Sequence, residues 1–203
     1  MIAALNNHDK LSFEQYLIDE NERDFKSEFI DGQVVEMTGA SENHNNISLN
    51  VASLFLTHIR KHSLPCRPYN NDMKVKVNNK NGFYPDVMVV CNNEDSENNY
   101  YKTAPKLIIE VLSKSTHRKD KMVKRLHYQN MVSLEEYVLI EQFHCEITVF
   151  RKNKGWLPSY YYLGDEITFE SLDLTVPVEE LYYQVNNEEM QTFLANKQAG
   201  NQS

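Results

Sequence analysis

The chain has 203 residues, 41% of them apolar and 11% aromatic, which is enough for one well-buried domain. A net charge of −8 and a pI near 5.4 argue against a protein that coats nucleic acid by bulk electrostatics, but not against an enzyme with a locally basic lining. No run approaches the ~20 apolar residues of a membrane span and no basic leader opens the chain, so a soluble, cytoplasmic protein without membrane partners is expected.

Residues 1–10 are polar and predict a flexible N-terminus, ahead of a single domain over 11–185. Ser12, with Gln15 three residues on, predicts the N-cap of a short helix reaching about Glu22. Asp31-Gly32 between two strand-like runs predicts a hairpin, and Glu28 on its first strand points either into a site or onto a rim. A helix is predicted from about His44 to His62, ended by Pro65, with an apolar stripe that includes Ile47, Leu49, Val51, Phe55, Leu56 and Ile59. His44 near its start suits a cap or a site, whereas His58 and His62 have no third ligand nearby and read as solvated.

Met73, Val75 and Val77 alternate with Lys74 and Lys76, so Arg67 to Val77 reads as one half-exposed strand, and Asn78 to Gly82 turns the chain toward Tyr84-Pro85-Asp86-Val87-Met88-Val89-Val90. A polar loop from Asn92 to Tyr101 separates this run from Leu107-Ile108-Ile109-Glu110-Val111-Leu112. Both runs are nearly continuous apolar stretches, the pattern of strands covered on two faces, and each carries one carboxylate. Thr116 or Ser115 is expected to cap a helix from His117 to Asn130 whose apolar side is Val123, Leu126, Tyr128 and Met131. Asp120 and Lys124 share a face at i and i+4, with Tyr128 one turn further.

Successive strands at 136–140, 146–150 and 156–163 predict an antiparallel meander, followed by a short helix near Glu179 to Tyr183 and a polar tail over 186–203. Cys66, Cys91 and Cys145, odd in number and lacking any C-x-x-C, predict reduced thiols.

Ionised groups on buried strands demand compensation, and a metal ion or Lys124 could supply it. If the strands bearing Asp86 and Glu110 pair antiparallel, the entry of one lies beside the exit of the other, and the following helix brings Lys124 over the same end. Two carboxylates are hard oxygen ligands of the kind magnesium prefers, which points to a hydrolytic metal site. Other assignments stay open at this level: strand-end carboxylates facing water, a surface Asp120–Lys124 pair, or an acid/base pair acting on sugars. The crowding of Lys114, His117, Arg118, Lys119, Lys121, Lys124 and Arg125 beside Glu110 offers a basic lining.

Pro85-Asp86-Val87 followed by Ile109-Glu110-Val111 resembles the PD-(D/E)XK nuclease superfamily. The ordered set of Glu28 to Gly32, His44, Pro85 to Val87, Ala104 to Ser113, Ser115-Thr116, Asp120 with Lys124 and Tyr128, and Glu136-Tyr137 resembles the Uma-type endonuclease family over about Leu11 to Tyr183. That resemblance implies an α/β (α+β) restriction-endonuclease-like fold, with a central mixed β-sheet flanked by helices. It implies an endonuclease that hydrolyses DNA phosphodiester bonds with Mg2+ or Mn2+ held by Asp86 and Glu110, Lys124 completing the catalytic set. Glu28, His44, Asp120 and Tyr128 would support it. The superfamily's usual lysine position, two residues after the glutamate, is Leu112 here, so the role passes to Lys124, with Lys121 a substitute. A non-cleaving binding or assembly module of the same fold is the alternative. A homodimer would suit double-strand cleavage, with the aromatic strand 156–162 as an interface.

Overall fold

The computed structural model describes residues 11–91, 98–114 and 116–200, so the expected flexible N-terminus and a cap by Ser115 lie outside the described residues. Helix α1 (Phe13–Asn21) starts at Ser12, whose hydroxyl accepts from Gln15 N at 3.1 Å. Strands β1 (Ser27–Ile30) and β2 (Gln33–Glu36) form the predicted hairpin, with Asp31 and Gly32 both at positive φ (51° and 82°) as a tight primed turn requires. Helix α2 (Glu42–Lys61) is capped by Ser41 and buries Ile47, Val51, Phe55 and Ile59, a stripe at i+4 spacing. Leu49 and Leu56 of the predicted stripe face solvent instead.

The predicted single strand over 67–77 is two. A turn closed by Met73 N to Asn70 O separates β3 (Cys66–Asn70) from β4 (Lys74–Asn78), and the two join different sheets. Strands β5 (Asn81–Phe83) and β6 (Val87–Cys91) follow, with Tyr84-Pro85-Asp86 crossing from one sheet to the other. A short β7 (Tyr101–Lys102) runs parallel to β4 ahead of the long central β8 (Pro105–Leu112).

The helix after β8 begins at His117 and passes through a π-helical turn, Lys119–Lys124, into α3 (Arg125–Gln129). Its start is fixed by Ser113 and Thr116, where Thr116 N donates to Ser113 Oγ at 3.2 Å. The predicted apolar side is split, since Tyr128 and Met131 are buried but Val123 and Leu126 are exposed. A π turn changes the angular step between residues, so a face drawn at 3.6 per turn is displaced.

Strands β9 (Glu136–Glu141), β10 (Glu146–Arg151) and β11 (Pro158–Tyr162) form the predicted meander, β9 lying parallel to β8. A hairpin of β12 (Glu166–Phe169) and β13 (Leu174–Pro177), α4 (Val178–Leu181) and α5 (Glu188–Gly200) complete the described chain. The polar tail expected from Asn186 is therefore helical to Gly200. Met190 is buried against the main core, and Asn187 Oδ1 accepts from Met190 N at 2.8 Å.

Among the described residues, strand order is β11-β10-β9-β8-β6-β3 in a mixed sheet and β2-β1-β5-β4-β7 in a second. One face of the mixed sheet packs Val87, Val89, Leu107, Ile109 and Val111 against α2, the β12–β13 hairpin and α4. The other packs Met88, Ile108 and Leu112 against Tyr128, Met131 and the second sheet's Val75 and Phe83. The central strands are covered on both faces, as their continuous apolar runs predicted. No helix among the described residues is long and apolar enough to cross a membrane.

Two further points bear on the sequence reading. Cys66 and Cys91 are not reduced thiols; they stand opposite each other on β3 and β6, Cα atoms 4.0 Å apart, and are joined by a disulfide. Their 25-residue separation conceals that register. Cys145 alone is free, and burial pushes its thiol up to about 11.

Gly82 of β5 lies directly against Phe13 of α1: a Cβ there would lie 2.4 Å from Phe13 Cε2. Phe13 cannot yield, because it is fully buried among Tyr16, Phe29 and Tyr101. Gly82→Ala is expected to cost about 1–3 kcal/mol by overpacking. A lower urea midpoint at unchanged m-value would show it, and an unchanged midpoint would refute it.

Candidate functional site

The path of the chain brings four carboxylates to the floor of one cleft of about 910 Å³. Val87 pairs with Ile109 across antiparallel β6 and β8, so the next residues outward, Asp86 and Glu110, stand opposite one another. Asp86 extends the ladder with its side chain, Oδ2 accepting from Val111 N at 2.7 Å. His44, in the first turn of α2, places Nε2 3.2 Å from the same oxygen. Glu28 enters from β1 of the other sheet, and Asp120 from the π turn.

Lys124 occupies the centre. Its Nζ lies 2.8 Å from Glu28 Oε1, 3.1 Å from Glu110 Oε1 and 3.3 Å from Asp120 Oδ1, and the residue is only 3% exposed. Tyr128 OH donates to Glu110 Oε1 at 3.1 Å. Thus Asp86, Glu110, Lys124, Glu28, His44, Asp120 and Tyr128, named from sequence, share one neighbourhood. Lys121 does not: its ammonium pairs with Glu141 at 3.0 Å, beside His117.

Lys119, expected only as part of a basic lining, reaches Glu28 Oε2 at 3.3 Å. At 100° per residue, Lys119 and Lys124 would be about 140° apart on an α-helix. The π turn's i→i+5 bonding brings residues five apart round to one side, and both lysines meet Glu28. Glu136 also falls elsewhere, in a buried pair with Arg151 Nε at 3.0 Å, while Tyr137 OH holds the Asp120 carbonyl at 3.0 Å.

The electrostatics are those of an under-neutralised acidic cluster. Burial pushes the Glu110 carboxyl well above the usual range and its carboxylate neighbours Asp120, Asp86 and Glu28 add to this, against the pull of Lys124. Burial likewise raises Asp120. Burial works on Glu28 in the same direction, but Lys124 and Lys119 together hold it below the ordinary value. Desolvation would lower Lys124, yet Glu110, Glu28 and Asp120 carry it well above 10.5. His44 is desolvated too, but Asp86 raises it.

Whether this set suits a divalent cation can be judged from its donors. Among the described residues, no three metal-capable side chains are close enough to form a ready cage. Magnesium does not require one, since it is commonly held by one or two carboxylates, with waters and substrate phosphate completing its shell. The donors are all hard oxygens. Asp120 Oδ1 is buried with no hydrogen-bond partner among the described residues beyond its charge contact, and Glu110 is surrounded by like charge. The set therefore fits a further cation.

Tyr128→Phe is expected to cost about 1.5–3 kcal/mol, the scale for a buried hydrogen bond to a carboxylate, without loss of the fold. Thermal unfolding would show a lowered midpoint; equal midpoints would remove Tyr128 from the cluster's support.

The chain is similar to known proteins in sequence and in fold. A family model described as "Uma2: Putative restriction endonuclease" matches residues 12–179. The uncharacterized protein slr1290 of Synechocystis is 35% identical over 176 residues, spanning 85% of this chain and 92% of that one. A second, sll1609 of the same organism, is 34% identical over 154 residues, spanning 72% and 85%. The crystal structure of a "putative nuclease belonging to DUF820" from Anabaena variabilis superposes with a TM-score of 0.71 at 17% identity, covering 87% of this chain and 99% of that one.

Proposed function

This chain belongs to the Uma2 family of "putative restriction endonucleases" and has the restriction-endonuclease-like fold, and we propose that it is a magnesium-dependent endonuclease that hydrolyses phosphodiester bonds of DNA. The observation that supports this best is the register of β6 and β8, which sets Asp86 opposite Glu110 on a cleft floor that also holds Lys124.

Asp86 and Glu110 would hold the ion, Mg2+ or Mn2+. When bound, such an ion supplies Lewis-acid stabilisation of phosphoryl charge and lowers the pKa of a water. Lys124, carried well above its usual pKa, stays protonated at neutral pH. It therefore serves as a fixed positive charge and hydrogen-bond donor to the reacting oxygens rather than as a base. Asp120 and Glu28 hold that ammonium in place, and His44 orients Asp86 through Oδ2. Lys26 and Lys114 in the cleft walls offset the chain's acidity where a polyanion would enter. Cutting both strands would call on a second copy, and the edge strand β11, with Tyr160 and Tyr162 exposed, offers a face for it.

One observation favours the alternative, a module that keeps the fold and binds nucleic acid without cutting it: Lys124 is already engaged by three carboxylates. Incubating the purified chain with supercoiled plasmid in Mg2+, Mn2+ or EDTA separates the readings. Metal-dependent nicking supports the nuclease. Binding without nicking in either metal supports the module.

A further inference from the structure

Phe143 lies in the turn between β9 and β10, at the wall of the acidic cleft, with 52% of its surface exposed. A single exposed apolar residue is ordinary. This one differs in how its turn is held. The preceding Gln142 is 2% exposed; its Nε2 donates to the Leu112 carbonyl at 2.8 Å and its Oε1 accepts from the Ser41 hydroxyl. On the far side, Cys145 N donates to Glu189 Oε2 at 2.7 Å. The turn is thus tied to the end of β8, the cap of α2 and the start of α5, so the ring is presented by an ordered support.

Lys114, from the turn that follows β8, places its ammonium 5.4 Å from the Phe143 ring centroid and also lines the cleft. A phenyl ring has no donor or acceptor, so it cannot read base edges; what it offers nucleic acid is a surface for stacking. In a duplex the faces of each base are covered by its neighbours. The ammonium lies over one face of the ring, which leaves the opposite face for a base, and it adds a contact for the phosphate of the stacked nucleotide.

We infer that Phe143 and Lys114 form a stacking platform for one unpaired base, so that the cleft accepts nucleic acid with a single-stranded stretch beside the bond presented to Asp86 and Glu110. The inference rests on the nuclease reading for the nature of the polymer. It goes beyond that reading in specifying the strand state and the residue that selects it.

The test separates binding from cutting. Fluorescence anisotropy with a fluorescein-labelled 12-mer oligothymidylate and with a hairpin duplex would be measured on the full chain in EDTA, alongside Phe143→Ala and Phe143→Trp. The single strand is expected to bind more tightly than the duplex. Phe143→Ala is expected to weaken single-strand binding about tenfold, the scale for loss of one stacked base, and Phe143→Trp to restore it. Tighter binding of the duplex, binding of neither probe, or wild-type affinity in Phe143→Ala would each overturn the proposal. Cleavage of both probes is then assayed in Mg2+. Absence of cleavage with the stacking pattern intact removes the nuclease reading and leaves the platform standing.

Discussion

Asp86→Asn is expected to reduce cleavage by at least about 10²–10³-fold, the scale for loss of a single preorganised electrostatic contact in an active site. Asparagine keeps an oxygen able to accept from Val111 N, so the 2.7 Å link that continues the β6–β8 ladder survives. It removes the charge that faces Glu110 and pairs with His44. The Asp86 side chain is 12% exposed against 3% for Glu110, and the amide keeps the bond from Val111 N, so losing the charge should move the unfolding midpoint by only a few degrees. Two measurements check this together: plasmid nicking in Mg2+, and the heat of Mg2+ titration, both of which should vanish in a variant with wild-type circular dichroism. Nicking at the wild-type rate would remove Asp86 from the chemistry. A variant that fails to fold would instead assign Asp86 to the ladder.

The parts of this site that were legible in the sequence are those that depend on strand order and parity. Apolar runs on both sides of Asp86 and Glu110 marked two buried strands, and antiparallel pairing then required the carboxylates to meet. Lys124 was legible because the helix after Glu110 lies over the same strand end, and its contact with Asp120 follows from the i+4 spacing that the π turn preserves. Lys119 was legible only as part of a basic lining, because its approach to Glu28 depends on a turn that 3.6-residue periodicity does not anticipate. Glu28 could be read only as inward or outward. Its direction is settled by the pairing of Phe29 with Gly82, which lays β1 beside β5, where Tyr84 N lies 3.4 Å from Glu28 Oε1. The split between β3 and β4 did leave a signal: Asn70-Asn71-Asp72 interrupts the alternation with three turn-forming residues, and the pairing partners show that the chain changes sheets there.

Lys124→Met carries the second large effect, on stability as well as activity. The substitution keeps the stem's volume and removes the ammonium that touches Glu28, Glu110 and Asp120, leaving three buried carboxylates with Lys119 as the nearest remaining cation to Glu28. Breaking a buried charge pair from one side costs about 3–5 kcal/mol, which is about 10 °C in midpoint for a chain of this length.

The sign of the pH dependence follows from which state holds more protons. In the wild type, the raised pKa of Lys124 contributes stability that is fully present below 10.5 and is lost only as pH rises through its folded value. In the variant, the carboxylates lose that counter-charge and stay protonated to higher pH than in the unfolded chain, where a glutamate titrates near 4.5. The wild type loses some stability over the same range, because Glu110 and Asp120 are raised there too, but the variant, without the ammonium's pull on them, loses more as pH rises from about 4.5. The gap in midpoint between wild type and Lys124→Met should consequently be wider at pH 8 than at pH 5, as thermal unfolding at the two pH values would show. Equal gaps, or a variant as stable as the wild type, would mean that the ammonium does not neutralise this cluster, and its assignment to the reacting oxygens would lose its basis.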